Sequence, residues 1–168
     1  MKPSDFVKEY YPFAKDTEYK TGIDARFTLA QAALETGWGE KAVGNMFFGV
    51  KASKDTPIDK KQLLTTREVL KNPNAVFPEV ISKTQRSDGL WEYRVKDWFR
   101  KYNSPEESFT DHAKMMLSNP NFKHALPYIS DPYRYAEAIQ EGRKKYATDP
   151  NYSSILKSVI ITIEKHIK

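Results

Sequence analysis

The sequence predicts an α+β protein, mostly α, on three observations. Ser104-Pro105-Glu106-Glu107, Asp131-Pro132 and Asp149-Pro150 each join a capping side chain to a proline suited to a first helical turn. Residues 29–34 are almost wholly small or apolar, the composition of a helix buried all round. From about residue 63 to 101 the chain changes to β-branched residues and period-two alternation, which predicts a small sheet inserted between helical halves. With 168 residues and no repeat, low-complexity stretch or linker, the chain is expected to form one domain, 1–168, with the β lobe at about 63–101.

In chain order, Ser4 is the expected cap of a first helix reaching about Lys20, with Phe6, Val7, Tyr10, Tyr11, Phe13 and Ala14 as its apolar face. Pro12 is expected to kink or interrupt it, and Gly22 to end it. Asp24 caps the next helix, which runs to Glu35 and stops at Thr36-Gly37-Trp38-Gly39. Residues 45–51 read as a loop or short turn in which Gly49 supplies an unusual backbone angle.

Three runs then favour strands: 63–70, 76–84 and 90–95, punctuated by Pro73, Pro78 and Ser87-Asp88-Gly89. Ser104 opens a helix through a capping box, and Asn119-Pro120 opens a short one. Asp131-Pro132 is expected to start a helix running to about Tyr146, and Asp149-Pro150 one running to the C-terminus.

Composition narrows the function classes. Lys and Arg are spread along the chain, and the net charge of +5 favours weak attraction to an anionic polymer over a nucleic-acid tail. The absence of cysteine removes disulfide and thiolate chemistry. Residues 1–11, MKPSDFVKEYY, lack the apolar core of a signal peptide, and the longest apolar run, 159–161, is far too short to span a membrane, so neither signal peptide nor membrane insertion is predicted. His112, His124 and His166 lack zinc-ligand spacing and read as surface or packing residues. No G-x-S-x-G, Walker-type or dinucleotide-binding run is present, and neither metal nor cofactor is expected. The 22 aromatic residues exceed what a small core needs, so some are expected to line a surface on which sugar rings stack.

Glu35 carries the chemistry. It ends an apolar helix, three residues before an indole and at the negative end of a helix dipole, and each feature disfavours its charged form. A carboxyl kept partly protonated near neutral pH is suited to general acid catalysis.

The run Ala30-Gln31-Ala32-Ala33-Leu34-Glu35-Thr36-Gly37-Trp38-Gly39, followed by Asn45 and by Phe48-Gly49-Val50-Lys51, resembles the signature of the bacterial cell-wall glucosaminidases of glycoside hydrolase family 73. The likeness continues through Thr65-Thr66-Arg67-Glu68, Phe99-Arg100-Lys101-Tyr102, Glu107-Ser108 and the run from Tyr146 to Tyr152. It implies a lysozyme-like fold with a small β lobe beside a catalytic cleft. The implied activity is hydrolysis of β-1,4 bonds of peptidoglycan on the N-acetylglucosaminyl side, by a monomer acting on the cell wall as a secreted, periplasmic or phage-released enzyme.

Residue by residue, the resemblance makes Glu35 the acid, Glu68 the second carboxylate and Tyr146 a cleft tyrosine that hydrogen-bonds the substrate N-acetyl group. It makes Trp38, Asn45, Phe48, Tyr102 and Tyr152 substrate-binding candidates, with Trp38 and Phe48 equally readable as core. Met46 replaces the second Asn of the family's N-N-x-F-G-x-K run, and the stretch after Glu68 is longer than the family hairpin, so Glu92 and then Glu79 stand as further candidates for the second carboxylate. Competing activities are an N-acetylmuramidase or a lytic transglycosylase on the same glycan. From another class comes a glycan-binding or phage structural module without turnover.

Overall fold

Helix placement follows from where the chain can hide apolar surface and still satisfy its backbone. A computed structural model describes residues 1–167, which form two compact units: Met1–Phe48 with the chain from Tyr102 onward, and Gly49–Lys101. The first unit is helical: α1 (Pro3–Thr21), α2 (Ala25–Thr36), α3 (Pro105–Ser118), a 3-10 segment (Pro120–Tyr128), α4 (Pro132–Ala138) and α5 (Tyr152–Glu164). The second holds β1 (Lys61–Leu70), β2 (Glu79–Gln85) and β3 (Trp91–Arg100).

The centre of the helical unit is α2, against which α1, α3, α4 and α5 all pack. Every residue from Ala25 to Ala33 except Arg26 is buried, as its composition predicts. Asp24 caps it by accepting from the Arg26 amide at 2.8 Å, and Gly37 closes it at φ 58°, where its N–H reaches the Ala33 carbonyl. From α5, Leu156, Ile160 and Ile163 contribute fully buried side chains, and α1 contributes Phe6, Val7 and Ala14. Rings link α1 to its neighbours: Phe6 meets Trp38 edge-on at 5.5 Å, Tyr10 meets Phe47 at 5.0 Å, and Phe47 meets Phe109 of α3 at 5.0 Å.

Several expected boundaries move. Helix α1 begins at Pro3, so Ser4 lies inside it and does not cap it; a proline at the first position needs no partner for the amide it lacks. The helix also passes through Pro12 without a break, because Pro12 is exposed and water can satisfy the carbonyl that its ring leaves unbonded. Gly49 has no positive φ; the left-handed residues of this region are Trp38 at φ 57° and Asn45 at φ 55°.

Helix α4 stops at Ala138, well short of Tyr146. Beyond it Gly142 turns at φ 92°, and the Gln140 side chain bonds both the amide and the carbonyl of Ala147, at 2.8 and 3.0 Å. Residues 139–151 are therefore a fixed irregular segment. Asp149-Pro150 forms the turn before α5, with the Asp149 side chain accepting from Asn151, and the helix itself starts at Tyr152. The Ser104 cap of α3 and the Asn119-Pro120 start of the 3-10 segment stand as expected.

The three strands form an antiparallel sheet in the order β1-β3-β2. Central β3 is longer than the expected 90–95 run because its alternation is interrupted at Asp97, which occupies a covered position and is neutralised by Lys51 at 3.1 Å. Tyr93, Val95 and Phe99 line the covered face, where Tyr93 is held by the Asn72 carbonyl, the Ala75 amide and the Phe77 ring. Strand β2 starts only after Pro78 and is exposed along its length.

Candidate active site

Glu35 stands in the last turn of α2 and is the exposed residue of that otherwise largely buried helix. Among the described residues its carboxyl has neither hydrogen bond nor ion pair. Although the residue is exposed, partial loss of hydration raises its pKa above the ordinary glutamate value. An acid that is unpaired and poorly hydrated retains its proton to higher pH than a free one. That is the electrostatic state anticipated from the sequence.

Two phenols feel the Glu35 charge. Tyr146 and Tyr152 are both raised above the usual tyrosine range, first by burial, and each is pushed further by Glu35. Their rings lie 5.5 Å apart. Tyr152 is 6% exposed, and its hydroxyl accepts from Gln31 Nε2 at 3.3 Å. Gln31 is one turn before Glu35 on the same helix face, so a single face of α2 presents the acid and fixes one of its phenols.

Tyr146 is held from the other side by α3. His112 Nε2 lies 3.0 Å from its hydroxyl, and the imidazole stacks on Phe48 at 3.8 Å and 11°. His112 retains some exposure, yet Phe48 covers one ring face and Tyr146 caps Nε2, so loss of hydration pulls its pKa down to about 4. The imidazole is neutral at physiological pH. Phe122 adds a ring 6.1 Å from Tyr146, and Ile139 accepts from the Tyr146 amide at 3.0 Å.

The other sequence candidates of this unit have defined neighbours. Phe48 is 4% exposed and packed between His112 and Phe109, the position of a core residue. Trp38 is half-buried against Phe6. Asn45 donates to the Tyr102 carbonyl at 3.1 Å, Tyr102 donates its amide to Gly44 at 2.9 Å, and the Tyr102 hydroxyl donates to Asp111 at 2.6 Å. Asn45 and Tyr102 therefore brace the loop before Phe47 and Phe48. His112 and Gln31 went unrecognised in the sequence, although a lone glutamine four residues before Glu35 in an apolar helix was a readable signal.

In the sheet unit, Glu68 and Asp97 share the covered face and converge on Lys51, whose ammonium lies 2.6 Å from Glu68 and 3.1 Å from Asp97. Burial draws the Lys51 pKa down, but the hydrogen bonds to both carboxylates outweigh it and the net shift is upward. Glu92 is on the opposite face, paired with Arg67 at 2.5 Å. Two carboxylates that the sequence left as alternatives thus project from opposite sides of one sheet. Glu79 lies at the exposed start of β2. No cluster of three or more His, Asp or Glu suited to a metal occurs among the described residues, and no described helix is long and apolar enough to cross a membrane.

Comparison with known proteins agrees with this architecture. The glucosaminidase family model, described as mannosyl-glycoprotein endo-beta-N-acetylglucosaminidase, matches residues 11–165. The chain is 30% identical to peptidoglycan hydrolase FlgJ of Vibrio parahaemolyticus, over 96% of this chain and 48% of that protein. It is also 30% identical to an autolysin of Enterococcus faecalis, over 95% of this chain and 20% of the autolysin. The chain thus spans about half the length, or less, of these curated relatives. Among solved structures, the C-terminally truncated glycoside hydrolase domain of Salmonella typhimurium FlgJ superposes with a TM-score of 0.69 at 27% identity, covering 98% of this chain and 99% of that one. The expected lysozyme-like α+β fold is the fold these domains share.

Proposed function

We propose that this chain, which belongs to the glucosaminidase family, hydrolyses β-1,4 glycosidic bonds of peptidoglycan on the N-acetylglucosaminyl side, with Glu35 as general acid. The observation that carries this reading is an unpaired carboxyl with a raised pKa at the surfacing end of a buried helix. Protonation of the leaving oxygen by Glu35 lets the bond break as positive charge grows on the sugar ring. The neighbouring phenols set the acid's surroundings without neutralising it, since neither hydroxyl bonds to it.

Tyr146 is positioned to meet the substrate's N-acetyl group in this reading. Whichever tautomer His112 adopts, the phenol makes one hydrogen bond to Nε2 and keeps capacity for another. Glu68 is the second carboxylate, supported by the likeness of its strand segment to the family and by its pairing with Lys51. The chain acts on the cell wall, as the names of its relatives suggest.

Mass spectrometry of purified peptidoglycan digested with wild type, Glu35→Gln and Glu68→Gln tests each part. Reducing N-acetylglucosamine ends from wild type, nearly lost in both variants, are expected. Reducing N-acetylmuramic acid would instead identify a muramidase, and 1,6-anhydro ends a lytic transglycosylase. An inactive wild type would leave glycan binding without turnover.

A further inference from the structure

The net charge is confined to one unit. Residues 49–101 contain twelve Lys and Arg against seven Asp and Glu, a balance of +5, whereas the rest of the sequence contains fifteen of each. The sheet then sorts this charge by face. Directly opposed residues of an antiparallel ladder share a face, so Lys61, Arg67, Arg94, Lys96 and Arg100 stand together with only two acids, Glu79 and Glu92. The covered face instead holds Glu68 and Asp97 around Lys51.

On the cationic face Arg67 and Arg94 are register partners on adjacent strands, and Ser82 of β2 is the partner of Arg94 on its other side. Glu92 occupies Arg67, but the side chains of Arg94 and Lys96 make no hydrogen bond or ion pair among the described residues. Arg94 borders a hollow of about 120 Å3 that Arg67, Ser82, Thr84, Glu92 and Tyr93 also line, the Glu92 carboxylate being held by Arg67. Guanidinium and hydroxyl donors around one hollow are the set that phosphate oxygens select, because the planar guanidinium fork binds two oxygens at once. Lys96 lies two residues beyond Arg94, about 7 Å along the strand. A polymer extended along β3 meets both.

We propose that this face of the sheet binds a phosphodiester-linked polyol of the teichoic-acid type. Nucleic acid carries the same phosphodiester, but single strands are held mainly by base stacking on open rings. Trp98 is the sole aromatic residue at the strand positions of this face, and the Lys61 ammonium sits over its ring at 4.9 Å. The face offers cations to a backbone without a free platform for bases.

The test is fluorescence anisotropy of labelled poly(glycerol phosphate) with the full chain across a salt series. It compares wild type, Arg94→Ala/Lys96→Ala, and the charge-matched Lys8→Ala/Lys123→Ala in the helical unit. Wild type binds, and removal of Arg94 and Lys96 weakens binding roughly tenfold at low salt. It also lowers the slope of log affinity against log salt by about two, one per cation. The control double variant stays within about twofold of wild type. The proposal is overturned if wild type does not bind at low salt, if both double variants lose affinity equally, or if oligothymidylate or polyglutamate binds as tightly as the glycerol phosphate polymer. Thermal melts accompany each variant; Lys8, Arg94 and Lys123 are exposed and Lys96 is half-buried, and unchanged melting keeps the comparison one of binding.

Discussion

His112 Nε2 sits 3.0 Å from the Tyr146 hydroxyl, so a ring from α3 fixes a phenol that the chain reaches 34 residues later. The pairing has a pH signature. Loss of hydration holds the folded His112 pKa at about 4, below its ordinary 6.5. The unfolded chain therefore takes up a proton first as the solution is acidified. This contribution to stability is complete above pH 6.5 and is lost as pH falls toward about 4, by at most about 3 kcal/mol. Urea unfolding at the two ends of that window should show the loss in wild type and its disappearance in His112→Phe. At neutral pH the same variant should lose about 1–3 kcal/mol through the unpartnered Tyr146 hydroxyl, and its glycan-cleaving activity should fall with it.

Glu35 acts with the opposite sign. Its folded pKa is raised, so the unfolded chain releases its proton first as pH rises, and stability declines from the ordinary glutamate range up to the folded value. Glu35→Gln removes that decline. The variant should melt at a higher temperature than wild type at neutral pH, converge with it below the glutamate range, and lose roughly 10²- to 10⁴-fold in activity. If Glu35→Gln matched the stability of wild type at both pH values, the carboxyl would not be dehydrated in the folded chain.

The two faces of the sheet separate Glu68 from Glu92. Glu92→Gln breaks only an exposed pair with Arg67, so it should change stability by less than about 1 kcal/mol and leave activity near wild type. Glu68→Gln removes one of two carboxylates that hold Lys51. Under the proposed role it should cost roughly 10²-fold or more in turnover, while circular dichroism stays native. Steady-state release of reducing ends from peptidoglycan separates these outcomes.

Gly142 is the hinge of the segment carrying Tyr146. Its φ of 92° suits glycine alone, and an added Cβ would meet His124 Cε1 at 3.0 Å. Gly142→Ala should cost about 1–3 kcal/mol and should reduce activity, since displacement of 139–151 also moves the Tyr146 hydroxyl away from His112. Amide exchange at Ala147, which is bonded to Gln140, reports the loosening directly.

Local signals carried most of the architecture. Asp24, Ser104, Asn119 and Asp131 cap the elements that their types announce, and the apolar run before Glu35 is the buried centre of its unit. What the sequence concealed was decided at long range. Pro12 is harmless because its side of α1 faces water, a fact absent from its neighbours in sequence. Helix α4 yields at Ala138 to a segment tied down by Gln140, and the strand alternation breaks at Asp97 because Lys51 is there to neutralise it. In the candidate site, the raised pKa of Glu35 was legible from adjacent residues, while its proposed role came from the family resemblance. His112 was not, since its meaning comes from Phe48 and Tyr146, 64 and 34 residues away.

The helix bearing Glu35 is sealed by residues made more than a hundred positions after it: Tyr152 against Gln31, and the buried side of α5 along α2. During vectorial synthesis α2 therefore emerges early and waits, with an apolar flank uncovered, until residues up to about Glu164 have left the ribosome. Tyr152, a phenol that feels the Glu35 charge, takes its place only at that late stage. A nascent or proteolytically shortened chain lacking α5 has the complete signature around Glu35 but lacks the phenol of Tyr152 and the apolar cover of α2.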